Sequence, residues 1–168
     1  MAPRFPVGSM VIYPFHGVAE IVAEEERVID GVASTYLRLA IAARDVDDRR
    51  ALVVSVPSDR ADEVGLRWPV THEDAEAILD VLARTDVNVP SAWSRRFKNH
   101  QDKLKSGDIF ECAEVVRNLS VRTRIKPLAP AEASMYQHAL HTLTSELALS
   151  WEVDVREAAS RVERALQR

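Results

Sequence analysis

One cysteine, Cys112, stands in a chain of 168 residues. It rules out an intrachain disulfide and any zinc cluster built on cysteine. No apolar run approaches the ~20 residues that a bilayer-spanning helix needs. The opening Met1-Ala2-Pro3-Arg4-Phe5-Pro6 lacks the apolar h-region of a secretory signal. A cytoplasmic location without membrane contact is the expectation. The motifs HExxH, GxSxG, GxGxxG and the P-loop are all missing. His138 and His141 lie three apart, yet no third ligand follows at a recognisable spacing. His16, in a turn between strands, reads as structural, and Cys112 falls on an apolar helical stripe as a small hydrophobe. Neither an enzyme nor a cofactor or metal site is expected. Positive charge is also short: the net charge is −4, unlike a protein that coats nucleic acid non-specifically.

The charge that is present is unevenly placed. Residues 1–90 carry 9 Lys/Arg against 16 Asp/Glu, a net of −7. Residues 91–130 carry 9 against 4, a net of +5, and residues 131–168 carry 4 against 6, a net of −2. A basic island in an acidic chain reads as one local anion-facing surface, against the plainer reading of a solvated helical face.

Hydrophobic periodicity divides the chain in two. Residues 9–13, 18–22 with 24–29 continuing it, 35–41 and 51–56 read as short strands, counted as five, punctuated by Pro14, Asp30-Gly31 and Pro57. Asp30-Gly31 is a strong hairpin signal. Short strands in this number suit a closed barrel of SH3 or Tudor type. After Val64-Gly65-Leu66-Arg67-Trp68 the period lengthens from two to about 3.6. Thr71, Ser91, Asp108 and Asp154 are candidate helix caps. Asn88-Val89-Pro90 and Gly107 are breaks. A fourth helix is expected over 131–150, with Tyr136, Leu140, Leu143 and Leu147 inward. The expected fold class is α+β: a small N-terminal Tudor/SH3-like β barrel over 1–68, then an all-α bundle of about five helices over 69–168.

Pro90-Ser91-Ala92-Trp93-Ser94-Arg95-Arg96-Phe97-Lys98 carries the most chemistry. A helix N-terminus attracts anions, guanidinium forks suit phosphate, and an aromatic ring can wedge a base step. At 100° per residue, however, Trp93 shares a stripe with Phe97, His100 and Leu104. The residues alone leave Trp93 open between core and contact ring. Arg27 is likewise open between pairing with Glu24-Glu25-Glu26 and contacting another protein.

In combination, several segments resemble the CarD/CdnL regulators of bacterial RNA polymerase. They are Val7-Gly8, Val11-Ile12-Tyr13-Pro14-Phe15-His16-Gly17-Val18, Val56-Pro57, Val64-Gly65-Leu66-Arg67, Trp93-Ser94-Arg95-Arg96-Phe97-Lys98, Lys103-Leu104-Lys105-Ser106-Gly107-Asp108 and Ala113-Glu114-Val115-Val116-Arg117-Asn118-Leu119. The resemblance spans nearly the whole chain. It implies a Tudor-like barrel that docks on the RNA polymerase β subunit, similar to the polymerase-interacting domain of transcription-repair coupling factors. It also implies a helical domain against promoter DNA at the upstream edge of the bubble. Trp93 then matches a minor-groove wedge, with Arg95, Arg96 and Lys98 as phosphate contacts. Arg27 matches a polymerase-contacting arginine, with Val54 and Ser55 in the same interface. The chain departs from the family in three places. The 42–50 loop is longer, Ser55 replaces a usual arginine for which Arg49 or Arg50 can substitute, and Ala133 stands near a usual basic residue. A monomer is expected. The competing reading is a protein–protein adaptor in which Trp93 is buried.

Overall fold

A computed structural model describes residues 3–14, 16–42 and 52–168. The chain forms two compact units, residues 1–69 and 70–168, and is α+β.

The first unit is a four-stranded antiparallel sheet curled into a half-barrel. Its strands are β1 (Met10–Tyr13), β2 (Gly17–Ile29), β3 (Val32–Ile41) and β4 (Leu52–Pro57), in that spatial order. As expected, 24–29 continues 18–22 as a single strand, β2, so the sheet has four strands where five were counted. A bulge at Val22 absorbs the break in their alternation, because Ile21 pairs with Leu39 while Ala23 pairs with Arg38. Asp30 (φ +53°) and Gly31 (φ +79°) form a two-residue turn with both residues left-handed, the geometry that matches the twist of a tight hairpin. The barrel is not closed among the described residues: β1 and β4 are its edges. Arg67 covers part of β1 through reciprocal backbone hydrogen bonds with Ile12, of 2.7 and 3.1 Å. Gly65, at φ +76°, brings the same turn so close to Pro14 that an added Cβ would lie 3.0 Å from the ring. Two of the family-like segments thus meet here for a structural reason. The core is Phe5, Val11, Ile21, Leu37, Leu39, Val56 and Leu66 with small neighbours, and Val54 packs at its margin.

The second unit holds α1 (His72–Ala83), α2 (Trp93–Lys105), α3 (Ile109–Thr123), α4 (Pro130–Trp151) and α5 (Val155–Leu166). Thr71, Asp108 and Asp154 cap α1, α3 and α5 by accepting from the N–H groups of Asp74, Phe110 and Glu157. α3 is the central element, packed by α1, α2 and α4. It is therefore buried over most of its circumference, from Ile109 to Ser120. Leu119, Leu143 and Leu147 are fully buried between α3 and α4. Truncating any of them to alanine would cost about 2–5 kcal/mol.

Candidate functional site

The start of α2 is assembled differently from the other helix starts that the sequence flags. Ser91 does not cap it. The N-cap is Ala92, which has no side-chain oxygen, and the first turn contains no acidic residue. The first backbone bond of the helix runs from the N–H of Arg96 to the carbonyl of Ala92, at 3.0 Å. The N–H groups of residues 93–95 are thus the outward, positive end of the helix.

Arg96 explains why Ser91 is displaced. Its Nη1 donates to the carbonyls of Ser91 (2.9 Å) and Pro90 (3.5 Å), drawing the approaching chain onto the helix. The rest of its guanidinium is committed inward. Nη2 and Nε donate to Glu132 Oε1 at 2.6 and 3.0 Å. Arg96 is 2% exposed and Glu132 is fully buried. The expectation that Arg96 contacts phosphate is corrected: its donors are spent on Glu132 and the 90–91 carbonyls, so it anchors the helix start to α4. The second carboxylate oxygen of Glu132 faces Arg122 Nε at 3.6 Å.

Trp93 does lie on the stripe it shares with Phe97, His100 and Leu104, but the packing closes only further along. His100 is fully buried and Phe97 half-buried, while Trp93 is 46% exposed. Its ring stacks on Phe97, with centroids 5.0 Å apart and planes 12° from parallel. The ring is thus backed by Phe97 and about half open to solvent. It is not buried as the adaptor reading required.

Arg95 and Lys98 are exposed and make no ion pair among the described residues. At about 100° per residue they sit roughly 60° apart, and about 140–160° around the helix from Trp93. Ring and cations therefore converge on one ligand only at the N-terminal end of α2, not along its side.

Beneath α2, His100 Nε2 lies 3.4 Å from Asn118 Nδ2. Asn118 Oδ1 already accepts from Arg117 Nε and Nη2. Its amide nitrogen must then donate to His100, which carries its proton on Nδ1. Burial holds the His100 pKa down at about 4, against the partial counter-pull of Glu132, so the ring is neutral at pH 7.

In the first unit, Arg27 resolves in favour of an internal partner without leaving the surface. It donates to Glu25 Oε2 and Ser55 Oγ, both at 3.0 Å, and lies 4.9 Å over the ring of Tyr36. Arg38 donates to the other oxygen of Glu25 at 3.1 Å. These pairs hold Glu25 below the usual carboxylate pKa, Arg27 most strongly. The side chains share the outer face of the sheet. Val54 is on the opposite face, across from Leu39, and packs against the core. Arg49, Arg50 and the long loop at 43–50 lie outside the described residues.

Sequence reasoning missed Glu132, Tyr36 and Arg38. Glu132 follows Pro130 in a first helical turn, where an acid is commonplace, so nothing marked it as buried.

The family model described as CarD, C-terminal domain matches residues 77–163. A Bacillus subtilis (strain 168) protein named "Putative transcription factor YdeB" is 30% identical over 144 residues, covering 85% of this chain and 90% of its own.

Proposed function

The chain belongs to the CarD family of transcription regulators, and from that premise we propose that it stabilises the promoter open complex while tethered to the RNA polymerase β subunit. The outer face of the sheet, centred on Arg27, Tyr36 and Ser55, is the polymerase-binding surface. The N-terminal end of α2 is the DNA contact, with Trp93 as minor-groove wedge and Arg95 and Lys98 on flanking phosphates. The observation that carries this reading is the half-exposed Trp93 ring, stacked on Phe97 at an uncapped helix start.

The physics is consistent. Tethering supplies a high effective concentration, so the intrinsic DNA affinity can be weak, as suits a net-acidic chain with one small basic patch. A wedge costs unstacking energy and is nearly blind to sequence. At a bubble edge the bases are already partly unstacked, so that cost falls. The ring then favours open over closed promoter by its difference in affinity for the two, about 1–2 kcal/mol on the usual scale of coupling energies. The test is open-complex lifetime at saturating protein. Trp93→Ala should shorten it about 5- to 30-fold, and an unchanged lifetime would refute the wedge.

A further inference from the structure

On another flank of α2 the second unit contains a cavity of about 240 Å³ with a polar wall. It is bounded by the 84–90 connection, by Asn99 and Lys103 of α2, and by α3. Such a volume lies below the roughly 300–1,000 Å³ that receives a drug-sized molecule, so it selects something small. Arg117 forms part of its wall and is 7% exposed.

The partners of Arg117 are unusual for a buried cation. Two of its bonds go to Asn118 Oδ1 (3.2 and 3.0 Å) and one to the carbonyl of Val81 (3.4 Å). Both acceptors are neutral oxygens. The nearest acid on its own helix, Glu114, is bound to Lys103 instead, and no carboxylate among the described residues pairs with Arg117. Glu114 and Asp86 act on it only at a distance, and the cost of desolvating the guanidinium outweighs their pull, so its pKa is lowered. Arg84 also lines the cavity and is paired with Asp86. Three cations against two carboxylates leave one positive charge in the wall, and it is Arg117.

We propose that this cavity is a binding site for a small oxyanion of the phosphate class, with Arg117 as its charged floor. The guanidinium has five N–H donors, three of which are used by the bonds above. The remaining two are free to make a bidentate contact with phosphate oxygens. Asn88, Asn99, Arg84 and Lys103 also line the cavity and carry further neutral and charged donors. The site is separate from Trp93, so the inference stands whether or not that ring contacts DNA.

Titrating inorganic phosphate into the full chain at constant ionic strength, followed by nitrogen-15 NMR, tests this. The Arg117 Nε–H and Asn99 amide signals should shift saturably with phosphate and not with chloride. R117Q should abolish saturation. Should R117Q fail to fold, Arg84→Gln serves instead, because that side chain is 62% exposed and its loss should weaken phosphate several-fold with an unchanged melt. Shifts that track total salt, or equal phosphate binding in Arg84→Gln and the parent, would overturn the proposal. Saturation by acetate but not phosphate would overturn the ligand class.

Discussion

The outer face of the sheet and the start of α2 both present arginines, and they dispose of them in opposite ways. On the sheet, Arg27 and Arg38 share one carboxylate, Glu25, and Arg27 is further steadied by Ser55 and Tyr36. At α2 the nearby carboxylate, Glu132, is bound below the surface by Arg96, and Arg95 and Lys98 make no ion pair among the described residues. Internally satisfied charges keep their geometry and recognise a surface of matched shape and charge. Unpaired cations at a helix start recognise any phosphate, and their affinity falls with salt. The proposed division of labour, a protein partner on the sheet and a nucleic acid at α2, rests on this difference.

The largest expected effect comes from breaking the pair that makes α2 different. Glu132→Ala leaves Arg96 buried and uncompensated and should cost about 3–5 kcal/mol in urea unfolding. Arg96→Met with Glu132→Met should recover most of it. If Glu132→Ala were as stable as the parent, the division between spent and free arginines at α2 would collapse.

Next comes acid. The His100 pKa is depressed from 6.5 to about 4 in the folded state, so the unfolded chain binds more protons between those values. Stability is then full above pH 6.5 and lost as pH falls toward 4, by up to about 3 kcal/mol. His100→Asn should flatten that segment of the stability curve relative to the parent. Curves that stay parallel would show that the interior side of α2 does not depend on a neutral ring.

Smaller effects separate the two surfaces themselves. Removing Arg95 and Lys98 together as glutamines should reduce the salt slope of DNA binding by about two, with unfolding unchanged within about 0.5 kcal/mol. Arg27→Ala should cost under about 1 kcal/mol in stability, because its ion pair is solvent-exposed, yet it should abolish capture of core polymerase. Should Arg27→Ala change only the salt slope of DNA binding, the two surfaces would have exchanged roles.

The strands and helices were largely legible because each is set by local chemistry. Asp30-Gly31 can take two left-handed residues, and Thr71, Asp108 and Asp154 place an oxygen where a helix start needs one. Ser91 had the right chemistry and still did not cap, since Arg96 competes for the chain beside it. The long β2 was legible as one strand continued past a weak alternation, although the count of five strands was one too high, because a bulged residue interrupts alternation without ending pairing. At the site, the stripe containing Trp93 was readable, but not where along it the packing stops. That depends on how far α3 underlies α2. Arg95 and Arg96 are chemically identical neighbours. Helical phase sets Arg96 beside the inward stripe and Arg95 opposite it, but no local pattern announces the carboxylate thirty-six positions downstream that holds Arg96.

The bond between Arg96 and Glu132 also constrains descent. A lineage that loses the acid while keeping the base inherits a stranded charge at the root of a half-exposed tryptophan, so the two positions should change together or not at all across relatives. Drift at Arg95, one step along the chain, has no such chaperone and can alter the charge at the start of α2 without endangering the helix that presents it.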